Sequence, residues 1–359
     1  MSVLAYFAFI GAIVLNFIIK NKKFYFGFLF LFMAVIVGIR GPYTGTDTFM
    51  YHELTNIVKK EGLVSAEQSD VSVEIGYRIL MFFCGEILDS SQCLIFITAI
   101  ITYLLFARYL YRNSDEKYYY MAGVLFIGMG FFCESVNAIR QLLALSIAVN
   151  GLDYLKNNLY VRAIIIIVLS CFIHTSMIML ITLVIFYMIA DRLVKKDGNS
   201  IIMFFSSLFL IMFIGINIIS IINNNIDFLG RYAVYYLRPE YSIASDSGGW
   251  TRIMGILIMT LMYSFFRFNK SDRVYNMMLI LGCEFAVIMM YFTNTWMIIF
   301  YRFYYEFFIF FVILLINSLR KINSPMINIG FQIFLILISA INLYIQLEAG
   351  SDLSYDIFF

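Results

Sequence analysis

Apolar runs of roughly 20 residues succeed one another along almost the whole chain, a pattern that calls for lipid rather than water around it. They lie near residues 3–19, 24–39, 92–110, 118–134, 137–154, 160–173, 175–190, 201–222, 252–267, 274–293, 297–317 and 327–346. The expected fold is therefore an all-α polytopic integral membrane protein with twelve transmembrane helices in one domain over residues 1–359. Its two long polar stretches, 40–91 and 223–251, form loops on one face. With 62% hydrophobic and only 13% charged residues, a soluble domain is excluded, and no basic stripe supports binding to nucleic acid. The N-terminal MSVLAYFAFIGAIVLNFIIK lacks a basic leader and a cleavage site and reads as a retained first helix. Five cysteines (Cys84, Cys93, Cys133, Cys171, Cys283) sit singly among apolar neighbours, without metal-ligand spacing, and read as small hydrophobes.

Orientation follows from the Lys/Arg bias of the short loops. With Lys20, Lys22 and Lys23 in the cytoplasm, so are Arg108, Arg112, Lys117, Lys156, Arg162, Arg192, Lys195, Lys196, Arg267, Lys270, Arg273, Arg320 and Lys321. That places sixteen of the 25 basic residues inside. The rest are Lys59, Lys60 and seven arginines, and arginine's planar fork grips phosphate oxygens in a way a lysine cannot. This topology requires residues 74–88 to form a re-entrant or interfacial helix and residues 160–190 a hairpin of two short helices with His174 at its tip. A rival arrangement lets 74–91 span and makes 163–190 one helix. It moves Arg108, Arg112, Lys117, Lys156 and Arg162 to the other side from Lys20, Lys22 and Lys23.

Ionisable groups in such a chain are functional candidates, because each is costly near a bilayer. In R40-G-P-Y-T-G-T-D47 the Gly, Pro and Thr residues build a tight turn, with Asp47 either a helix cap or a carboxylate held at the membrane surface beside Arg40. Glu134, Asn137, Arg140 and Gln141 are spaced three and four apart and are expected on one helix face, as a hydrogen-bond network or as a site. The Arg140 guanidinium must then find an anion, whether Glu134, Asp47 or a substrate. His174 is a core imidazole or an acid/base group, whereas His52, beside Glu53, reads as a solvated surface residue. Glu284 lies mid-span and bonds a neighbouring helix. Arg231, Tyr235 and Arg238 in the later loop suit an interfacial aromatic belt, or a surface that stacks sugar rings and holds a diphosphate. Arg302 and Glu306 form an i, i+4 pair that neutralises itself or leaves Arg302 to a ligand.

Four ordered motifs carry a resemblance: Arg40, Gly45, Thr46, Asp47 and Tyr51; Glu74, Gly76 and Tyr77; Asn137, Ile139, Arg140, Gln141, Leu143 and Ala144; and Phe172 to Ser176. Together they resemble the EpsG family of bacterial exopolysaccharide proteins, related in role to Wzy-type O-antigen and capsule polymerases. The resemblance covers most of the first 190 residues. It implies a GT-C-like, multi-pass glycosyltransferase of the bacterial cytoplasmic membrane. Such an enzyme joins undecaprenyl-diphosphate-linked oligosaccharide units on the outer face, with membrane lipids, a flippase and a chain-length regulator as partners.

That reaction sets physical requirements. Negative charge accumulates on the departing diphosphate, and arginines in a poorly hydrated site can stabilise it without a metal. Arg40, Arg140, Arg231, Arg238 and Arg302 are the candidates, with Tyr51, Asn137, Gln141 and Tyr235 as further substrate contacts. The acceptor hydroxyl must lose a proton, for which Asp47 is the first candidate base and Glu74 and His174 the next. No cofactor and no metal site are expected. A glycan ligase would use the same equipment. A flippase would show paired repeats and broken helices at the membrane midplane, and an acyltransferase would bury its His beside a cytoplasmic channel.

Overall fold

The computed structural model describes residues 2–63, 73–194, 273–295, 299–349 and Tyr355, and no strand is formed among them. They divide into two compact units, Met1–Ile181 with Leu315–Phe359, and Thr182–Leu314. The expected apolar segments 201–222 and 252–267 and the loop 223–251 lie outside the described residues. Four described helices are long and apolar enough to cross a membrane: Ser91–Asn113, Thr175–Arg192, Phe300–Leu319 and Pro325–Glu348. A fifth forms if the bent pair Tyr119–Gly128 and Phe131–Asn137 is one span.

The core of the first unit is the antiparallel pair α2 (Lys22–Gly38) and α5 (Ser91–Asn113), with α1 (Ser2–Ile18) against α6 (Tyr119–Gly128). Asn21 starts α2 by accepting a hydrogen bond from the Phe24 amide, which satisfies one of the orphan donors of a helix N-terminus. Gly38 lies against Phe96 so closely that a Cβ would fall 2.7 Å from the ring, and this lets the two backbones approach. Aromatic side chains fill the interior: Phe126 lies 5.1 Å from both Phe30 and Phe106 and stacks on Phe131 at 5.0 Å.

Helices are broken at three places, two of them inside apolar runs and the third at the expected hairpin tip. Gly130, at φ +93, separates α6 from α7 (Phe131–Asn137), and the chain bends by 47° there. The carbonyls this frees are satisfied by α13 (Pro325–Ala349): Asn342 donates to Gly128 O at 2.8 Å and Gln346 to Met129 O at 3.4 Å. A second break at Ala138 divides α7 from α8 (Ile139–Leu152), so Glu134 and Arg140 stand on different helices. The expected shared face of Glu134, Asn137, Arg140 and Gln141 does not form. A third break, at Phe172–His174, separates α9 (Tyr160–Cys171) from the 3-10 turns Thr175–Leu180 and α10 (Ile181–Val194). A single helix over 163–190 is therefore absent.

Charge is sorted to the two ends of the first unit. At one end Lys22 donates to Ser114 O at 2.7 Å and pairs with Glu116, Asp153 meets Arg112 and Lys156, and Arg320 meets Asp115. At the other, Gln92 donates to the Gly38 and Arg40 carbonyls, and the Thr46 amide donates to Asn137 Oδ1 at 3.0 Å. Lys22 and residues 112–117 thus share an end, which the rival arrangement does not allow. The segment formed by α4 (Ile75–Phe82) and a π-helical turn (Phe83–Ile87) begins where the Gly76 amide bonds Phe172 O. It finishes beside Ser91, which bonds His52 at 2.8 Å, so it starts and stops at the Arg40 end without crossing. With α3 (Thr48–Glu61) it folds over α5 and α8 through Tyr51, Leu54, Tyr77, Met81, Leu94, Ile95, Ile139 and Leu143. His52 is consequently buried at 6% exposure, not the solvated side chain its neighbours in sequence suggest. Cysteines placed at the exposed positions Lys23 and Lys117 are expected to label from one side of the membrane and at exposed Tyr43 from the other. Labelling of Lys23→Cys and Lys117→Cys from opposite sides would contradict this arrangement.

The second unit is described through α10 from Thr182 onward, α11 (Arg273–Thr295) and the larger part of α12 (Ile299–Leu319). Phe285 stacks on Phe307 at 5.0 Å, and Gly282 admits the Phe310 ring against the backbone. Glu284 and Glu306 are buried there. Contrary to the expected bond to a neighbouring helix, neither Glu284 carboxylate oxygen has a hydrogen-bond partner among the described residues.

Candidate active site

Arg140 opens α8 just after the break at Ala138, which points the side chain at the end of the helix layer and not along a neighbouring helix. Its Nε donates to the Tyr51 hydroxyl of α3 at 2.8 Å, and its Nη1 donates to Glu74 Oε2 at 2.5 Å. Both partners of this ion pair are nearly enclosed, with side chains 10% and 7% exposed. Nη2 has no partner among the described residues. The anion that Arg140 meets is therefore Glu74, 66 residues away in sequence, and not Glu134 or Asp47.

Glu74 stands immediately before α4, and its second oxygen is equally occupied. Oε1 accepts from the Thr175 amide at 3.2 Å and from Thr175 Oγ1 at 3.1 Å, and it faces His174 Nδ1 at 3.6 Å. Burial alone pushes this carboxyl up. The Arg140 charge, His174 and the backbone donors outweigh that and hold it below its ordinary value of 4.5. The breaks bring the group together: extended backbone at His174 turns the chain so that residues 174 and 175 meet Glu74, and the bond from Gly76 N to Phe172 O clamps the two segments at 2.7 Å. Thr175 belongs to the Phe172–Ser176 motif but is not one of the candidate site residues read from the sequence. Its place next to His174 in F-I-H-T-S was the signal.

The other expected residues fall in different places. Tyr51 is buried and packs edge-to-face on Tyr77 at 5.6 Å, which fixes the hydroxyl that receives Arg140. Gln141 is buried next to Arg140 on α8. Asn137 holds the 40–47 turn by accepting from the Thr46 amide. Asp47 stands at the start of α3 but makes no side-chain capping bond. Its half-exposed carboxylate accepts from Thr46 Oγ1 at 3.0 Å and does not pair with Arg140.

Arg40 is 1% exposed, and its guanidinium is spent on the protein. It donates to Val37 O at 2.7 Å, to Thr48 Oγ1 at 3.1 Å and to Val136 O at 3.3 Å, tying α2, α3 and α7 together. Arg302 is exposed on α12 in the second unit, while Arg231, Tyr235 and Arg238 lie outside the described residues. No group of three or more His, Cys, Asp or Glu side chains placed to hold a metal ion occurs among the described residues.

These features define an all-helical membrane protein with a buried, hydrogen-bonded ionic cluster at the end of its helices away from Lys22, Arg112 and Lys156. The sequence matches the EpsG family over residues 23–356, and the chain belongs to that family. No curated relative and no solved structure matches it.

Proposed function

We propose that the protein is a polysaccharide polymerase that extends a surface glycan by transferring it from a lipid diphosphate to the next oligosaccharide unit. Membership of the EpsG family supports the polymerase role. The observation that carries the chemistry is the enclosed Arg140–Glu74–His174 cluster, where Arg140 keeps Nη2 available beside a carboxylate and an imidazole. In this reading Arg140 binds the diphosphate of an undecaprenyl-linked donor, and Tyr51 orients the guanidinium. Glu74 with His174 takes the proton of the acceptor hydroxyl as the anomeric C–O bond to diphosphate breaks. The positive-inside bias sets the basic end in the cytoplasm, so the cluster faces the exterior of the bacterial cytoplasmic membrane. The twelve-span, GT-C-like arrangement and partnership with a flippase and a chain-length regulator belong to the same proposal, as do Arg231, Tyr235, Arg238 and Arg302 as further contacts to the glycan.

Loss of the protein is expected to abolish the surface glycan ladder while single units are still exported. Accumulation of lipid intermediates facing the cytoplasm would indicate a flippase instead. Within the site, Asp47→Asn is expected to retain turnover within a few-fold, because Asp47 does not touch Arg140, whereas Glu74→Gln eliminates it. The reverse ranking in a chain-extension assay would make Asp47 the base.

A further inference from the structure

A base needs an uncommitted lone pair when the proton arrives, and on Glu74 three of about four lone-pair sites already accept. Its two oxygens accept from Arg140, the Thr175 amide and Thr175 Oγ1, and Oε1 also faces His174 Nδ1. A carboxylate held by three donors, one of them a buried guanidinium, is a weak proton acceptor. Arg140, by contrast, is only partly committed, since Nε goes to Tyr51, Nη1 to Glu74 and Nη2 to no described residue. An anion can therefore enter at Nη2 and compete with Glu74 for the same guanidinium.

We propose that Arg140 masks Glu74 as a base until an anionic donor group takes over its charge, so that the site binds its donor first and becomes competent to deprotonate the acceptor only then. The proposal rests on the reading of Arg140 as the diphosphate site and adds an order of events to it. Among the described residues, the charged and titratable groups around Glu74 come from four segments. Arg140 comes from α8, His174 from the break after α9, Tyr51 from α3 by way of Arg140, and Arg78 from the next turn of α4 is drawn off to the Leu63 carbonyl. α5 presents Leu94, Ile95 and Thr98 to this region, which are uncharged.

One added negative charge beside Arg140 raises the midpoint of Glu74 protonation, because it opposes the guanidinium charge that holds the carboxyl low. Glu74 and His174 titrate as a coupled pair and share that change. In the transfer itself the acceptor O–H bond breaks and its proton passes to the pair. The new bond to the anomeric carbon forms, and the electrons of the anomeric C–O bond leave with the diphosphate.

The test is binding of undecaprenyl diphosphate to the purified full-length protein in detergent, followed by calorimetry in buffers of different ionisation heat. Wild type is expected to take up protons on binding, and more than Glu74→Gln does under the same conditions. Glu74→Gln, freed of its internal competitor, is expected to bind the probe about tenfold more tightly while losing turnover. Binding by wild type with no proton uptake, or weaker binding by a folded Glu74→Gln, would overturn the masking. Failure of wild type to bind the probe at all would instead remove the diphosphate site itself. If Glu74→Gln does not fold, proton uptake by wild type alone decides the matter.

Discussion

Arg140→Met is expected to destroy chain extension and to destabilise the protein by about 3–5 kcal/mol, seen as a large fall in thermal unfolding temperature in detergent. The magnitude follows from what the substitution leaves behind. Glu74 is 7% exposed on its side chain and would retain its charge, or bind a proton, with its main partner gone. The double substitution Arg140→Met with Glu74→Gln separates the two effects, because replacing both members of a buried pair is close to neutral for stability. That protein is expected to recover most of the lost stability and none of the activity. The pair also sets an acid limit. Glu74 is depressed below 4.5, so its contribution is fully present above that pH and is lost only as pH falls through its lower native value. This acid step is expected in wild type and absent in the double variant. A single Arg140→Met variant as stable as wild type would show that the pair contributes nothing.

The residue types of the cluster were legible in the sequence, and their pairing was not. Arginine, carboxylate and histidine stand out in an apolar chain because each is costly there. Periodicity then relates Arg140 to Glu134 and Gln141 on an unbroken helix, but the break at Ala138 removes that relation and turns Arg140 towards a loop 66 residues distant. The breaks at Gly130 and Ala138 fall inside apolar runs and leave no mark in hydropathy, and the carbonyls freed at the first are satisfied by distant side chains such as Asn342, whereas the break at His174 was legible as the tip between the runs 160–173 and 175–190. Cost also misleads about purpose. Arg40 has the same signature as Arg140, yet it is satisfied by Val37 O, Thr48 Oγ1 and Val136 O. A buried guanidinium needs acceptors, and backbone carbonyls exposed at helix ends serve as well as a ligand. The basic-loop bias, in contrast, concerns which loops share a side, and Lys22 with Ser114 and Glu116 shows that directly.

Gly76→Ala is expected to reduce chain extension by about a hundredfold, although local helix propensity argues for the opposite. Gly76 lies in the first turn of α4 with an ordinary backbone conformation, so an added methyl alone would stabilise the helix by roughly 0.5–1 kcal/mol. The contact decides the sign. A Cβ at Gly76 would lie 2.6 Å from the carbonyl oxygen and 3.0 Å from the carbonyl carbon of Phe172, which is backbone and cannot rotate aside. Relief requires the two segments to part, and the 2.7 Å bond from Gly76 N to Phe172 O goes with it. Glu74 sits two residues before this clamp, and His174 and Thr175 come two and three residues after its other half. Separation therefore draws the carboxylate away from three of the groups that hold it. Gly27→Ala is the matched control, because Gly27 is a helical glycine on α2 with nothing within 4 Å of an added Cβ. It is expected to be fully active and unchanged or slightly raised in stability. If Gly76→Ala behaves like Gly27→Ala in extension assays, the juxtaposition of Glu74 with residues 172–175 does not matter to the reaction, and the cluster loses its claim to be the active site.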